Sequence, residues 1–435
     1  MQNVWNLLGT TFWCSCGKTH RIRTQKVLLG ENVLSKIPSV LEELNLRGKA
    51  LVLCDENTYR VAGEEVIRIL SDSSFSPTLG LLKKKERLPF LEPDEEARSQ
   101  IGEYLFERPD FLVAVGSGVI NDLAKFVACR AQLPYVSVAT APSMDGYVSP
   151  GAPMLVGGYK VTYDATPPLV LFADLGILSS APLSLIQAGF ADLVGKITAF
   201  ADWEIRRALF GEDFCEALWE NTASFLRDLA SCADGIVKRD KGAIAILMRA
   251  LVESGLSMEI IGDSRPASGG EHLVAHYLEM MALHKRLHPS FHGLRVGVAT
   301  CVVWKLFQLF LSENTDYPYF PSDPYPLDAL KVHFGPLFPF VREEAQKKYN
   351  LQWSKIDPDL FRKAVEEKLS LFNPLELLVR VGVPTRFQDL GFPKEMVRNA
   401  FLWARFLRKR VTILDLLARC GVLEKFLDQA LQEIE

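Results

Sequence analysis

Histidine is scarce in this chain of 435 residues, and its distribution is uneven. Of seven histidines, five lie between residues 272 and 292. His272 and His276 are four positions apart, so a helix would place both imidazoles on one face, where they can share a cation and its substrate. Pro289 is expected to end that helix, and Ser290 to cap a new helix that carries His292 in its first turn. The spacing therefore predicts imidazoles that approach one point from two helices.

A catalytic divalent metal usually has three protein ligands and one open position. Asp192 is the expected third ligand, because an ionised carboxylate among apolar residues of a helix is costly unless it is paired or bound to a metal. The alternative for Asp192 is an i,i+4 surface pair with Lys196. Glycines three positions away on either side are expected to leave room around the carboxylate. His284 and His288 continue the histidine spacing and are interpreted as a solvated helix face.

Residues 113–125 run from an apolar, strand-like stretch through glycines into a helix that carries Asp122 and Lys125. Gly116 and Gly118 allow backbone N–H groups to approach phosphate oxygens, and the helix directs its positive N-terminal end at the anion. Glycines also close ordinary strand-to-helix turns. On this segment alone, pyrophosphate binding and a structural turn both stay open.

Strand-like and helical patterns alternate in the first third of the chain. Ala50–Cys54, Phe111–Val115 and Tyr135–Ala139 are predicted strands, and the segments between them favour helices. This alternation is typical of a mostly parallel sheet covered by helices. The Gly-Gly pair at 157–158 predicts a hairpin on the edge of that sheet.

From about Ser179 onward the pattern is helical. We therefore predict an α/β domain over residues 1–178 and an all-α domain over residues 179–435. A cleft between such domains is a common place for a ligand site. Residues 312–328 interrupt the helices with prolines and are interpreted as a packed surface loop.

Composition excludes several classes of partner. The net charge of −4 and the pI near 6.1 provide no basic field for nucleic acid. The N-terminus lacks the features of a signal peptide. The best apolar run, Cys301–Leu311, contains Lys305 and is well short of the ~20 residues of a membrane helix. We expect no nucleic-acid partner, no membrane span and a cytoplasmic protein.

Eight cysteines are too few for a disulfide scaffold in a chain of this length. Cys14, Cys16 and His20 occur together in Cys-Ser-Cys-Gly-Lys-Thr-His and offer soft metal ligands. Structural zinc sites usually have four ligands, and this cluster has three. A surface turn ahead of the first strand is the favoured interpretation, with a metal site as the alternative.

Taken together, these motifs resemble the sn-glycerol-1-phosphate dehydrogenase family. The resemblance rests on the glycine turn with Asp122 and Lys125, the Thr-Ala-Pro-Ser-Met-Asp-Gly loop, Asp192, Gly-Glu-His272 and His292-Gly. The opening Cys-Xaa-Cys-Gly segment and a late Arg-Val-Thr-Ile-Leu-Asp resemble its bacterial members, so the match covers essentially the whole chain. The family belongs to the fold group of dehydroquinate synthases and iron-type polyol dehydrogenases. The implied fold is a Rossmann-like parallel-sheet domain followed by a helical domain.

The resemblance implies a metal-dependent reaction. Asp192, His272 and His292 match the ligands of one divalent metal, nickel or zinc, with nickel favoured in bacteria. Asp145 and His276 match positions that contact the substrate, and Asp192 would touch the substrate as well. The implied reaction is the reversible NAD-dependent reduction of dihydroxyacetone phosphate to sn-glycerol 1-phosphate, a step of phospholipid biosynthesis, in a homodimer.

The resemblance also implies the cofactor site. Asp55, at a strand end, would accept hydrogen bonds from the adenosine ribose and disfavour the 2′-phosphate of NADP, so NAD is expected and NADP is the alternative. The pyrophosphate turn is implied at Gly116, Ser117, Gly118, Val119 and Ile120, and the nicotinamide side at Thr140, Ala141, Pro142, Ser143 and Ser149.

The chain departs from the family pattern in two places. Ser117 and Val119–Ile120 replace a more glycine-rich turn, and the segment 312–370 is longer than the usual helical connection. Lys160 and Arg265 are candidates for binding the substrate phosphate. Other functions stay open: a glycerol or polyol dehydrogenase, a dehydroquinate synthase-like enzyme, or a non-catalytic binding module that retains the fold.

Overall fold

The computed structural model describes residues 4–86, 88–287, 289–313, 326–353 and 357–434, apart from the side chain of Pro358. The chain divides into two compact units. The first unit comprises Met1–Val156, Lys160–Phe190 and Asp228–Ser264, and the second comprises Gly157–Tyr159, Ala191–Arg227 and Arg265–Glu435. The boundary between residues 178 and 179 stays a prediction, and the helical segment Asp228–Ser264 is compact with the sheet.

The strands lie in the first part of the chain. They are β1 Thr11–Trp13, β2 Thr19–Arg21, β3 Lys26–Gly30, β4 Lys49–Asp55, β5 Ser76–Leu82, β6 Phe111–Gly116, β7 Tyr135–Ala139, β8 Gly151–Val156, β9 Tyr159–Asp164 and β10 Val170–Asp174. Within the described ranges, six of them form a parallel sheet in the order β3-β10-β7-β6-β4-β5. The predicted α/β architecture with a parallel sheet is confirmed.

The strand order reverses between β4 and β6. From β4 the chain moves outward to β5, and from β6 it moves in the opposite direction to β7 and β10. Ligands of open parallel sheets bind outside the carboxyl ends of the strands at such a reversal. Asp55 ends β4 and Gly116 ends β6, so both flank this point.

Helices cover the sheet and form most of the second unit. Those of the first unit are α1 Ile37–Glu43, α2 Glu56–Thr58, α3 Glu64–Ser71, α4 Glu95–Tyr104, α5 Gly118–Ala131, α6 Leu175–Ser180, α10 Ala233–Val237 and α11 Lys241–Ile261. Two helices pass from one unit to the other, α7 Leu183–Val194 and α9 Glu216–Ser231. Those of the second unit are α8 Lys196–Phe210, α12 Gly270–His284, α13 His292–Ser312, α14 Leu327–Phe334, α15 Phe338–Tyr349, α16 Pro358–Leu369, α17 Pro374–Val381, α18 Lys394–Trp403, α19 Ile413–Arg419 and α20 Leu423–Ile434. The predicted helical second half is confirmed.

The sequence analysis did not predict two strands of the sheet, β3 and β5. The edge strand β5 contains Pro77 and Gly80, which are typical of turns, and an edge strand tolerates a proline that a central strand does not. β3, the other edge strand, is half-buried along its length and has an apolar run of only three residues, 27–29. The hairpin at Gly157 and Gly158 is present, but β8 and β9 form a separate two-stranded sheet and not the edge of the main one. Residues 314–325 of the expected loop lie outside the described part of the chain.

Length alone did not exclude a membrane span. Two helical stretches, Leu183–Phe210 and His292–Ser312, are long and apolar enough to cross a bilayer. In each, 78% of the apolar window is buried inside the protein, as in the core helices of a soluble protein. The expectation that the apolar run Cys301–Leu311 is too short to span a bilayer is wrong for His292–Ser312, because the helix continues through Lys305.

Gly116 is required for close packing between strand and helix. A Cβ atom on Gly116 would lie 2.5 Å from Cβ of Ile120, so β6 and α5 could not keep their present distance. Gly102, inside α4, has no atom within 4 Å of the corresponding position. The two glycines form a matched pair for substitution.

We expect Gly116→Ala to lower the free energy of unfolding by about 1–3 kcal/mol, because overpacking forces neighbouring groups apart. Gly102→Ala should instead raise it by about 0.5–1 kcal/mol, since alanine restricts the unfolded chain and favours a helix. Urea unfolding followed by circular dichroism measures both changes. Equal midpoints for the two variants would contradict the packing role of Gly116.

Candidate metal centre and nucleotide-binding edge

The glycine turn joins β6 to α5 at the carboxyl edge of the sheet. Ser117 precedes α5 in extended conformation, and among the described residues no side chain caps this helix. A fourteen-residue helix that begins this way directs backbone N–H groups and a partial positive charge at the turn. Gly118, Val119 and Ile120 form the first turn of that helix, which suits an anion such as pyrophosphate.

Asp55 lies at the end of β4 and begins α2. Its Oδ1 accepts a hydrogen bond from the Thr58 N–H at 2.8 Å, and the Thr58 hydroxyl accepts one from the Asp55 N–H at 3.0 Å. This reciprocal pair is a capping box. The carboxylate thus has a structural role that the sequence analysis did not predict, beside the expected contact with ribose.

The loop after β7 contains Thr140, Ala141, Pro142, Ser143 and Ser149, all of them buried. Its backbone turns tightly at two points. The Ser143 N–H donates to the carbonyl of Ala141 at 3.0 Å, and the Ser149 N–H donates to the carbonyl of Gly146 at 3.3 Å. Strand β7 neighbours β6 in the sheet, so the loop starts at the same edge as the glycine turn. The structure brings these predicted residues together in the first unit.

Lys125 fixes this loop. Its ammonium group is fully buried and donates to the carbonyls of Gly146 at 2.6 Å and Gly151 at 3.0 Å and to the Ser149 hydroxyl at 3.1 Å. Ser149 is therefore part of an internal hydrogen-bond network, and its contact with nicotinamide stays a prediction. Lys125 holds the loop in shape, although it lies in the glycine-turn motif.

Two carboxylates are associated with this loop: Asp145 lies in it, and Asp122 is 3.4 Å from the ammonium group of Lys125. Asp145 is buried and accepts a hydrogen bond from the Ser254 hydroxyl at 2.8 Å. Burial raises the pKa of Asp122 to about 6, and the ammonium groups of Lys125 and Lys160 act in the opposite direction. Lys160 is itself buried and close enough to Asp122 to affect it, so a cationic group lies among these acids.

The predicted metal ligands converge in the second unit. The ligand atoms of Asp192, His272 and His292 all lie within 4.8 Å of one another. Asp192 Oδ1 is 3.2 Å from His272 Nε2, and the rings of His272 and His292 are 5.4 Å apart between centroids. One carboxylate and two imidazoles from α7, α12 and α13 fit a divalent metal with nitrogen and oxygen ligands.

Asp192 is a buried anion with 1% of its surface exposed. Burial opposes its ionisation, but the ammonium of Lys196 and the imidazoles of His272 and His292 outweigh burial and hold the pKa of Asp192 below its usual range. Lys196 Nζ lies 3.1 Å from Asp192 Oδ1 and donates to the carbonyl of Ala267 at 3.0 Å. The i,i+4 pair that we considered as an alternative is present, but it is buried and part of the cluster.

Glu271 orients the first imidazole. Its carboxylate accepts hydrogen bonds from His272 Nδ1 at 2.8 Å and from the Gly269 N–H at 2.6 Å, and the Thr198 hydroxyl lies 2.9 Å from its other oxygen. Because Nδ1 of His272 is bound to Glu271, Nε2 faces Asp192. Histidine ligands of metals commonly have such a carboxylate on the ring nitrogen that does not bind the metal. Sequence reasoning missed this role because neighbouring helix positions do not share a face.

His276 completes the group of imidazoles. Its ring stacks on that of His292 at 5.0 Å with 15° between the planes. His276 Nδ1 lies 3.9 Å from Glu279 Oε2, and the buried Arg295 binds the same carboxylate oxygen at 2.8 Å. Ligand atoms of His276, Glu279 and His292 also lie within 4.8 Å of one another. Glu279, with Arg295 bound to it, thus lies beside His276, and the sequence analysis singled out neither residue.

Several local expectations need correction. Phe291, and not Ser290, is the N-cap of α13, and its side chain makes no capping bond within the described residues. Gly189 does not leave room around Asp192: a Cβ there would collide with the carbonyl of Pro142, so this glycine permits close packing. Gly195 is likewise tightly packed, with Val296 Cγ1 3.0 Å from the position of a Cβ.

Further predicted residues lie away from the centre. His284 is exposed, as expected of a solvated face, whereas His288 lies outside the described residues. Arg265 lies 3.5 Å from Glu212 and over the ring of Trp203, so its charge is already engaged. Lys160, in contrast, is buried in the first unit, and a role of either residue in binding the substrate phosphate stays a prediction.

The cysteine motif forms a second compact cluster, in the first unit. Cys14 and His20 are buried and Cys16 is half-buried, with ligand atoms within 4.8 Å of one another. Burial lowers the pKa of His20, although a hydrogen bond to the backbone of Ile260 opposes this effect. The expectation of a surface turn ahead of the first strand is wrong in two respects: the turn lies between β1 and β2, and two of the three candidate ligands are buried.

Comparison with known proteins agrees with this arrangement. A model of the family iron-containing alcohol dehydrogenase matches residues 28–182. A solved structure described as a probable glycerol dehydrogenase from Sinorhizobium meliloti has the same fold, with a TM-score of 0.61 and 17% identity over 93% of this chain and 97% of that one. The predicted fold group is confirmed.

Relatives found by sequence have a higher identity to this chain than the solved structure has. Glycerol-1-phosphate dehydrogenase (NAD(P)+) of Bacillus licheniformis is 32% identical over 94% of this chain and 93% of that protein. The protein of the same name from Bacillus subtilis is 32% identical over 91% of each chain. Because such identity extends over almost the full length of both compared proteins, this chain belongs to the glycerol-1-phosphate dehydrogenase family.

Proposed function

We propose that this protein is an NAD(P)-dependent sn-glycerol-1-phosphate dehydrogenase, which transfers a hydride reversibly between the cofactor and the carbonyl carbon of dihydroxyacetone phosphate. The observation that carries the proposal is the convergence of Asp192, His272 and His292 in a chain of this family. A non-catalytic module would not need a buried anion and two imidazoles around one point.

The donor set suits one divalent metal, nickel or zinc. Imidazole nitrogen and carboxylate oxygen are ligands that both ions accept. When bound, the metal supplies Lewis acidity that stabilises negative charge on the substrate oxygen. Lys196 and Glu271 hold Asp192 and His272 in place for this purpose.

The chain's own residues bind and orient the substrate. His276, beside His292 and near Glu279, is placed to orient a substrate hydroxyl or to pass its proton to water. Asp145, fixed by Ser254, offers a second acceptor for hydroxyl groups. We assign the substrate phosphate to Lys160, a buried cation that lies close enough to Asp122 to affect its pKa.

The cofactor binds, in this proposal, along the carboxyl edge of the sheet. Pyrophosphate lies at the uncapped start of α5, and the loop from Thr140 to Ser149 contacts the nicotinamide. Asp55 Oδ2 accepts hydrogen bonds from the adenosine ribose, since Oδ1 already caps α2. We also retain, as predictions, an assignment of nucleotide binding to residues 1–178 and of metal and substrate binding to residues 179–435, a homodimer and a cytoplasmic location.

The substrate phosphate distinguishes this function from a polyol dehydrogenase. We expect kcat/KM for NADH oxidation to be at least about 10-fold higher with dihydroxyacetone phosphate than with dihydroxyacetone, because the unphosphorylated ketone lacks the anion, and each hydrogen bond to a charged group contributes about 1.5–3 kcal/mol. Lys160→Gln should reduce the ratio, whereas Arg265→Gln should change it less. Equal efficiency on the two ketones would favour a polyol dehydrogenase, and a product of sn-glycerol 3-phosphate would contradict the proposed function.

Asp55 should set a preference for NADH over NADPH, because its carboxylate repels the 2′-phosphate. Asp55→Asn removes the charge but keeps an oxygen that can cap α2, so the fold is preserved. We expect this variant to raise the ratio of kcat/KM for NADPH to that for NADH by about 10-fold, equivalent to about 1.4 kcal/mol. Thr58→Val, which disturbs the cap without changing charge, is the control. Wild-type enzyme that uses NADPH better than NADH would show that the role of Asp55 is wrong.

A further inference from the structure

The first unit contains a cluster of soft ligands that the proposed function does not use. Cys14, Cys16 and His20 lie on and beside the hairpin of β1 and β2. Two sulfur atoms and one imidazole nitrogen lie within 4.8 Å of one another. Their chemistry differs from that of the Asp192 centre, which contains no sulfur.

The hairpin itself brings the ligands together. In the antiparallel register Phe12 lies opposite His20. Side chains two positions apart share a face of a strand, so Cys14, which follows Phe12 by two, lies on the face of His20. The turn then closes sharply: the Cys14 N–H donates to the carbonyl of Lys18 at 2.9 Å, and the Gly17 N–H donates to the carbonyl of Cys14 at 3.0 Å.

Gly17 permits this turn, since its φ of +81° is a conformation that side chains disfavour. The result places Cys16 back over the strands, with its Sγ 3.1 Å from His20 Nε2. A glycine directly after the second cysteine therefore has a geometric reason, which is to return that thiol to the imidazole.

A backbone group of α11 orients the imidazole of His20. The ring of His20 also hydrogen-bonds the backbone of Ile260, at the end of α11. A second contact of this kind fixes the ring plane and presents the other nitrogen to a metal. The chain just after β2 is anchored on the same helix, because the Glu259 carboxylate accepts a hydrogen bond from the Arg23 N–H.

Burial separates this cluster from an ordinary surface turn. Cys14 is 3% exposed and His20 is 8% exposed, while the half-buried Cys16 leaves one side of the cluster accessible. Two thiols and an imidazole that converge in a largely buried position match the preference of Zn²⁺ for thiolate and imidazole ligands.

We propose that Cys14, Cys16 and His20 bind one zinc ion, with water at the fourth position, and that this ion links the turn of the N-terminal hairpin to its second strand. Binding converts both thiols into thiolates and releases two protons to solvent. No electrons are transferred. The site is independent of the metal centre at Asp192, so either can be absent without the other.

Co²⁺ substitution distinguishes the two centres in the full-length enzyme. Thiolate ligands give bound Co²⁺ an intense charge-transfer absorption in the near ultraviolet, which a site of carboxylate and imidazoles lacks. We expect this band after addition of Co²⁺ to metal-depleted wild-type protein and to His272→Ala. Cys16→Ser and Cys14→Ser should each weaken the band, because each removes one of the two thiolates, and the double variant should lose it. Cys129→Ser, at another half-buried cysteine of the first unit, should keep it unchanged.

Absence of the band in folded wild-type protein would overturn the proposal, as would its persistence in the variant with both Cys14→Ser and Cys16→Ser. Should both serine variants fail to fold, alkylation of wild-type protein decides. Zn²⁺ should slow iodoacetamide labelling of Cys16 at least 10-fold relative to metal-depleted protein, with Cys129 labelled at an unchanged rate. Equal labelling of Cys16 with and without Zn²⁺ would contradict the site.

Discussion

The anion of Asp192 is the constraint on which the second unit depends. A carboxylate with 1% exposure cannot remain ionised inside a helical core unless positive charge surrounds it. Lys196 supplies one cation from the next helix, and the imidazoles of α12 and α13 supply polar partners on the other side. Glu271 is needed to keep this arrangement, because it binds the imidazole of His272 that faces Asp192. The metal proposed here would add the positive charge that such a cluster of acids and imidazoles favours.

A comparable logic holds in the first unit, where Lys125 supports the loop that follows β7. Its ammonium group donates to two carbonyls and a hydroxyl of residues 146–151 and so ties this segment to α5. Close packing adds to this support, since Gly189 and Gly255 let α7 and α11 approach the backbone at Pro142 and Asp145. A loop held in this way is preorganised, so little conformational entropy is lost when a cofactor binds.

The sequence predicted features that depend on local spacing. His272 and His276 share a helix face because they are four positions apart, and β6 and α5 flank the glycine turn as expected. It could not predict contacts made across the fold. The bond from Glu271 to His272 joins neighbouring residues that ideal helix geometry separates, and the role of Lys125 depends on where residues 146–151 return. Strand β5 was missed because Pro77 and Gly80 are acceptable only at an edge, and edge position is a property of the sheet.

Anomalous diffraction from crystals of the metal-loaded, full-length enzyme, recorded on both sides of the metal's absorption edge, tests the central claim most directly. The account predicts an anomalous peak bonded to Asp192, His272 and His292, with Glu271 still in contact with His272 Nδ1. A fully loaded, active crystal with no peak at these three residues, and with Asp192 held by Lys196 alone, would contradict it.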